Sequence, residues 1–251
     1  NKKNKKNKNI KKNKNIKKKK KKRKRKKTLI NWFNNNLIIS IKMSENKKAL
    51  IFDTETTGLP NKKYGGSKYG YIVQISWIMI DLSTHKLLKT RDYIIRIPYN
   101  IKIPKEASDI HGITNKIMRQ KGTNIKPVLR EIINDMRLSN VVVAHNINFD
   151  ISFLKIESFR NGLGNIYNTL HIKKYDTMFK GKIIADTYRI SPTSGKKILK
   201  VPKLLELHEK LFKTTPLNLH NSLIDIYVCL RCYYKLEYDV DILTINSSFR
   251  S

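Results

Sequence analysis

The stretch Ala49 to Glu55, ALIFDTE, constrains this chain more than any other. Ala49, Leu50, Ile51 and Phe52 are all apolar, the pattern of a short strand buried on both faces in the middle of a sheet. That strand runs into Asp53 and Glu55, two apart, and the period-two alternation of a strand turns both carboxylates to the same side. On a sheet edge such a pair is an ordinary solvated feature. At the end of a central strand, two unpaired acids are costly unless a cation compensates them.

The segments that follow place this strand in a larger layout. Tyr71 to Ile80 and Leu87 to Ile97 read as two more strands, and short connections make the three antiparallel neighbours; Pro60 to Lys68 is the loop between the first two. Pro127 opens a helix with Val128, Leu129, Ile132, Ile133 and Met136 at three-and-four spacing. Val141 to Ala144 is another all-apolar strand, followed by a helix from Phe149 to Arg160 that Gly162 ends. Residues 181–200, with Gly, Ser, Pro and several Lys, read as a mobile insertion. Pro202 to Phe212 and Ser222 to Leu236 are helical, the second with Leu223, Ile226, Tyr227 and Leu230 on one face. Together these elements predict an α/β fold, a mixed sheet with helices packed on it.

Three further groups complete a pattern begun by Asp53 and Glu55. Asp150, in AHNINFD, falls where a buried strand, a short loop and a helix N-terminus meet, a place that suits both helix capping and metal ligation. His220 and Asp225, in HNSLID, are five apart, which on an ideal helix is about 140° of rotation. Both can reach one site only if His220 lies on the loop before the helix and Asp225 in its first turns. Four carboxylates form a set of hard oxygen donors of the kind Mg²⁺ or Mn²⁺ prefers, and an imidazole beside them is a ready proton acceptor for an attacking water. Such a set predicts a two-metal phosphodiesterase site, with two ions clamping the scissile phosphate.

The charge of the chain agrees with a polyanionic partner. The formal net charge is +34, but residues 1–27 hold 19 Lys or Arg and no acid, leaving 34 basic against 19 acidic residues, or +15, in the rest. Basic surfaces favour nucleic acid because each neutralised phosphate releases counterions; a basic composition alone fits mere solubility or an A/T-biased genome equally well. Residues 1–42 read as a disordered Lys/Asn-rich tail. Three readings of it stay open: an arm that grips polyanions, an import signal in KKKKKKRKRKK, and, ranked first, read-through upstream of a start at Met43. Two cysteines, no secretory signal pattern and no apolar run near 20 residues predict a soluble intracellular protein without disulfides or membrane spans, with cytoplasm, nucleus and a viral replication site all open.

FDTETTG, AHNINFD and HNSLID, in that order, resemble the three motifs of the DnaQ-like family of DEDDh 3′-to-5′ exonucleases, which includes the proofreading epsilon subunit of bacterial DNA polymerase III. IHGIT, residues 110–114, and KLLELHEKLF, residues 203–212, are similar to stretches that the family carries before its second and third motifs. The likeness spans residues 48–236, and Asn221 stands where a tyrosine-type relative would need Tyr, which favours the histidine subtype. The resemblance implies a ribonuclease H-like fold, three antiparallel strands followed by parallel ones with helices on both faces, in a domain at 43–240 with a short tail at 241–251. It implies Asp53, Glu55, Asp150 and Asp225 as ligands of two Mg²⁺ (or Mn²⁺) and His220 as general base. It also implies contacts to the terminal nucleotide by Thr56, Thr57 and Gly58, with His111, Ile113 and Asn146 helping to shape the pocket. The expected activity is removal of nucleoside 5′-monophosphates from single-stranded or frayed 3′ ends of DNA, in proofreading or repair, with any partner polymerase a separate protein. An exoribonuclease trimming RNA, and a module that binds nucleic acid without cutting it, are the alternatives.

Several other groups read as structural. Cys229 and Cys232 lie within a helix and suit packing better than redox or zinc chemistry. His145 reads as a hydrogen-bonded loop residue, Asp176 as a helix cap and Asp186 as a loop charge, while His85, His171 and His208 show no ligand spacing.

Overall fold

The computed structural model describes residues 47–59, 69–164, 172–217, 219–246 and 249. The expectations for residues 1–42, for the loop Pro60 to Lys68 and for His171 lie outside them. Three strands come first, β1 (Lys48–Thr56), β2 (Ile72–Asp81) and β3 (Leu87–Ile94), and β4 (Val141–Ala144) and β5 (Lys173–Asp176) follow. They form one sheet in the order β3-β2-β1-β4-β5, in which β1 is antiparallel to β2 and parallel to β4. β3 continues the antiparallel side and β5 the parallel side. The apolar run of β1 therefore occupies the centre, as its composition requires.

Helices α1 (Lys105–His111), α2 (Asn115–Lys121), α3 (Ile125–Arg137) and α4 (Ile147–Arg160) precede β5, and α5 (Thr177–Lys180), α6 (Lys182–Ala185), α7 (Leu204–Phe212), α8 (Ser222–Tyr238) and α9 (Ile242–Ile245) follow it. Alternation along β1 divides the packing. Leu50 and Phe52 join Ile75, Trp77 and Met79 of β2 in a core closed by Val128, Leu129, Ile132 and Ile133 of α3 and by Phe153 and Leu154 of α4. The opposite face, which carries Asp53 and Glu55, lies against α8. Among the described residues no helix is long and apolar enough to cross a membrane.

Several sequence expectations need correcting. Residues 181–200 are not an unstructured insertion: they hold α6 and a hairpin of β6 (Tyr188–Ile190) and β7 (Lys197–Leu199). The reversal is closed by Ser191 N–H donating to Lys196 O at 2.8 Å, with Gly195 at φ +64 supplying the left-handed residue that the turn needs. β3 stops at Ile94 rather than Ile97, and Ile95 makes a single bridge to Thr123. α4 begins at Ile147, two residues early, because Asn146 turns the chain at φ +71. The expected tail at 241–251 contains α9, with Asp241 capping it and pairing with Arg231 at 2.7 Å, and Ile242 and Phe249 are buried.

One buried acid away from Asp53 and Glu55 serves the core. Asp135 of α3 is 1% exposed, accepts from Trp77 Nε1 at 2.8 Å and pairs with Lys89 Nζ at 2.7 Å. Removing it strands the indole N–H inside the core. Asp135→Ala is expected to lower the unfolding free energy by about 2–3 kcal/mol in urea titrations, and Asp135→Asn by less, since the amide oxygen still accepts from Trp77. An alanine variant as stable as the parent would contradict this.

Candidate active site

The acids meet at the end of the sheet where β1 finishes. Carboxylate oxygens of Asp53, Glu55 and Asp225 lie within 4.8 Å of one another. β1 supplies the first two through its two-residue period, and α8 supplies the third from its first turn. Asn221 caps that helix by accepting from Leu223 N–H at 3.1 Å, and His220 sits just before it at φ +70. The sequence spacing thus resolves as expected, with His220 on the loop and Asp225 on the helix. The His220 N–H donates to Asp225 Oδ2 at 3.2 Å, while Asp225 Oδ1 is buried with no hydrogen-bond partner.

Asp150 joins from the other side. β4 pairs with β1 only as far as Ile51, because the chain turns at His145 and Asn146 into α4, and the ladder leaves Thr54 N–H without a strand partner on that side. Asp150, in the first turn of α4 and 2% exposed, takes its place: Oδ1 accepts from Thr54 N–H at 3.0 Å and from Thr54 Oγ1–H at 2.7 Å. This draws Asp150 slightly away, so it and the exposed His220 ring stand outside the close trio. Its charge still reaches Asp53 and Glu55.

Crowding and desolvation set the protonation of the group. Burial, then the charges of Asp150, Asp225 and Glu55, push Asp53 well above the usual carboxylate range. Burial, then Asp225 and Asp150, raise Glu55 to about 8. Burial raises Asp150 to about 7 against the hydrogen bonds from Thr54, and raises Asp225 to about 7 against the His220 N–H. Among the described residues no lysine or arginine pairs with any of the four. Hard oxygen donors, no internal counter-charge and an orphaned Asp225 Oδ1 fit a divalent cation.

The residues expected at the substrate fall into two groups. Thr56, Thr57 and Gly58 continue β1 into the site: Thr57 exchanges backbone and side-chain hydrogen bonds with Tyr71, and Gly58 sits at φ +145. His111, at the end of α1, is buried; its Nδ1 accepts from Ile113 N–H, its Nε2 has no hydrogen-bond partner, and burial holds the ring below the usual imidazole range against the nearby Thr56 backbone. Ile113 instead packs in a small core with Val73, Ile97, Ile103 and Met118. Asn146 is exposed, its N–H donating to Asp176 Oδ1. His145 uses both ring nitrogens, on Thr177 Oγ1 and Pro202 O, and Asp176 caps α5. Cys229 and Cys232 are buried free thiols within α8.

Sequence reading missed the polar contacts that seat this machinery. Gln74 and Ser76 stand opposite Glu55 and Asp53 on β2, both donate to Asp92 Oδ1, and Ser76 Oγ meets Ser222 Oγ at 2.5 Å. That contact fixes the first residue of α8. The signal lay in two polar side chains interrupting an otherwise apolar strand, in register with the acids.

A model of the family described as Exonuclease (RNase T) matches residues 50–233. The chain belongs to the DnaQ-like exonuclease family. It is 28% identical over 151 residues to the DNA polymerase III subunit epsilon of Buchnera aphidicola subsp. Schizaphis graminum, covering 56% of this chain and 60% of that protein. It is 34% identical over 112 residues to the epsilon subunit of Rickettsia conorii, covering 44% of each. The chain thus spans less than two thirds of either relative. Among solved structures, E. coli exonuclease I in complex with a dT13 oligonucleotide superposes with a TM-score of 0.58 at 17% identity, over 75% of this chain and 41% of that one. Exonuclease I from Methylocaldum szegediense gives 0.56 at 15%, over 79% and 42%. These two likenesses establish a shared fold with the exonuclease family.

The raised carboxylates make a stability prediction. A carboxyl whose folded pKa exceeds its unfolded value of about 4 penalises the folded state increasingly as pH climbs between the two values. With Glu55 at about 8 and Asp150 and Asp225 at about 7, the penalty grows from about pH 4 and is full only above pH 8. A bound divalent cation offsets it. Millimolar Mg²⁺ or Mn²⁺ is therefore expected to raise the melting temperature more at pH 8 than at pH 5.5, and Asp225→Ala should abolish most of the difference. Equal shifts at both pH values in thermal scans would count against the site.

Proposed function

We propose that this chain is a 3′-to-5′ exonuclease that uses two Mg²⁺ (or Mn²⁺) ions to release nucleoside 5′-monophosphates from single-stranded or frayed DNA ends, in proofreading or repair. The reading is carried by the convergence of Asp53, Glu55 and Asp225 oxygens, together with the buried, partnerless Asp225 Oδ1. Membership of the exonuclease family and the likeness to DNA polymerase III epsilon subunits support DNA as the polymer.

Asp53, Glu55, Asp150 and Asp225 would hold the ions. When bound, divalent cations supply positive charge against the phosphate oxygens and acidify the attacking water. The protein's own groups do the rest. Thr54 fixes the orientation of Asp150 through two hydrogen bonds, and Asp225 anchors the His220 backbone through Oδ2 while Oδ1 faces inward. His220, exposed on its loop, would take the proton of the attacking water. Thr56 to Gly58 hold the terminal nucleotide at the end of β1, where Gly58 lets the backbone adopt a conformation that other residues rarely reach.

Single-stranded DNA and RNA oligomers labelled at either end, incubated with Mg²⁺, test this directly. Shortening of DNA from the 3′ end with mononucleotide 5′-phosphate products is expected; attack from the 5′ end, or digestion of RNA alone, refutes the direction or the polymer. Asp53→Ala is expected to abolish turnover with the melting temperature retained, and undiminished digestion by it would refute the assignment of the acids. His220→Ala should lower kcat about 10²- to 10⁴-fold with KM little changed, the loss usual for a general base.

A further inference from the structure

Outside the acidic pocket, the hairpin of β6 and β7 with the short helices before it forms a basic surface that nothing in the reaction above uses. Residues 187–203 contain Arg189, Lys196, Lys197, Lys200 and Lys203 and no acid. Lys200 is paired with Glu206, but Arg189, Lys196, Lys197 and Lys203 make no ion pair among the described residues and are exposed. Apolar faces lie among these cations. Ile190 is 66% exposed and Ile183 of α6 75%. Tyr188 is 42% exposed, its OH donates to Asp186 Oδ1 at 2.6 Å, and Lys197 Nζ sits 4.1 Å from its ring centroid. The ring is thus held in place beside a cation.

Buried apolar contacts would have been the ordinary reason for a hairpin to keep such side chains; here they face solvent. Cations alternating with a fixed aromatic ring and exposed isoleucines match a polymer that offers phosphates and unstacked bases together. A duplex hides its base faces, and an acidic peptide lacks them, so the complementary partner is a single strand. The surface is also tied to the pocket. The hairpin closes with Lys200 N–H donating to Thr187 O at 2.9 Å, and two residues later Pro202 O meets His145 Nε2 at 3.0 Å. His145 adjoins Asn146, the cap of the helix whose first turn carries Asp150.

We infer that the β6–β7 hairpin is a second binding surface for single-stranded DNA, gripping the strand upstream of the end held at the acidic pocket. The inference rests on the exonuclease reading for the direction of the strand, but binding itself can be measured without catalysis. It makes retention of long strands a property of the hairpin and chemistry a property of the acids.

Fluorescence anisotropy with a labelled 20-nucleotide single strand, in EDTA, separates the two. Arg189→Ala/Lys196→Ala/Lys197→Ala is expected to weaken binding about tenfold or more and to reduce the log–log salt slope by about 2, as loss of three phosphate contacts on a single strand would. Tyr188→Ala, with the cations kept, is expected to weaken binding about tenfold through lost stacking. With Mg²⁺, the triple variant should show a raised KM on the 20-mer and unchanged hydrolysis of a mononucleotide p-nitrophenyl ester. Unaltered affinity and salt slope in a folded triple variant, while the parent still digests DNA, overturn the hairpin surface and leave the catalytic reading intact. Hairpin-dependent binding by a parent that digests nothing upholds the surface and removes the catalytic reading. A parent that does not bind the 20-mer at all overturns the surface.

Discussion

The burial of four carboxylates, Asp53, Glu55, Asp150 and Asp225, near one another is the constraint that the rest of the fold is built to contain. Like charges brought this close, and partly desolvated, oppose folding unless something fixed holds them. The central position of β1, clamped between β2 and β4, supplies that rigidity for two of them. The other two arrive in the first turns of α4 and α8, where the unpaired N–H groups at a helix start favour negative charge. The end of one strand and the starts of two helices therefore bring negative charge to one spot, which fits a cation.

The molecule accordingly has two electrical characters. The pocket is acidic and, among the described residues, pairs with no lysine or arginine, while the β6–β7 hairpin is rich in lysine. A polyanion is drawn to the surface by the second and repelled by the first until cations occupy it. On the proposed reading, attraction and chemistry are thereby separated in space, and polymer capture alone would give no cleavage.

Much of this was legible in the residues because each acid carried its own geometry. Asp53 and Glu55 announced their shared side through strand period, and His220 with Asp225 required a loop-to-helix boundary, which Asn221 supplies. The hidden parts lacked periodicity. β5 is a four-residue edge strand, KKYD, in which only Tyr175 is buried, so its charges disguise it. α1 and α2 are each seven residues long, too short for an apolar stripe to stand out. The hairpin strands are three residues each, and the Ser, Pro, Thr and Gly between them read as disorder when they are a turn. Ser76 and Thr54 looked incidental because their value depends on partners more than 90 residues away in sequence. Only the folded sheet brings those pairs together.

Asp225 and His220 travel on a single segment, the start of α8, and Ser222 fastens that start to the sheet against Ser76. A growing chain has made β1, with half of its acids, long before this segment exists, and on the proposed reading a molecule in which α8 has peeled away would lose an oxygen ligand and the proton acceptor in one event. Cutting power would then be an all-or-none attribute of the finished architecture, leaving half-built or fraying copies harmless to the polymers around them.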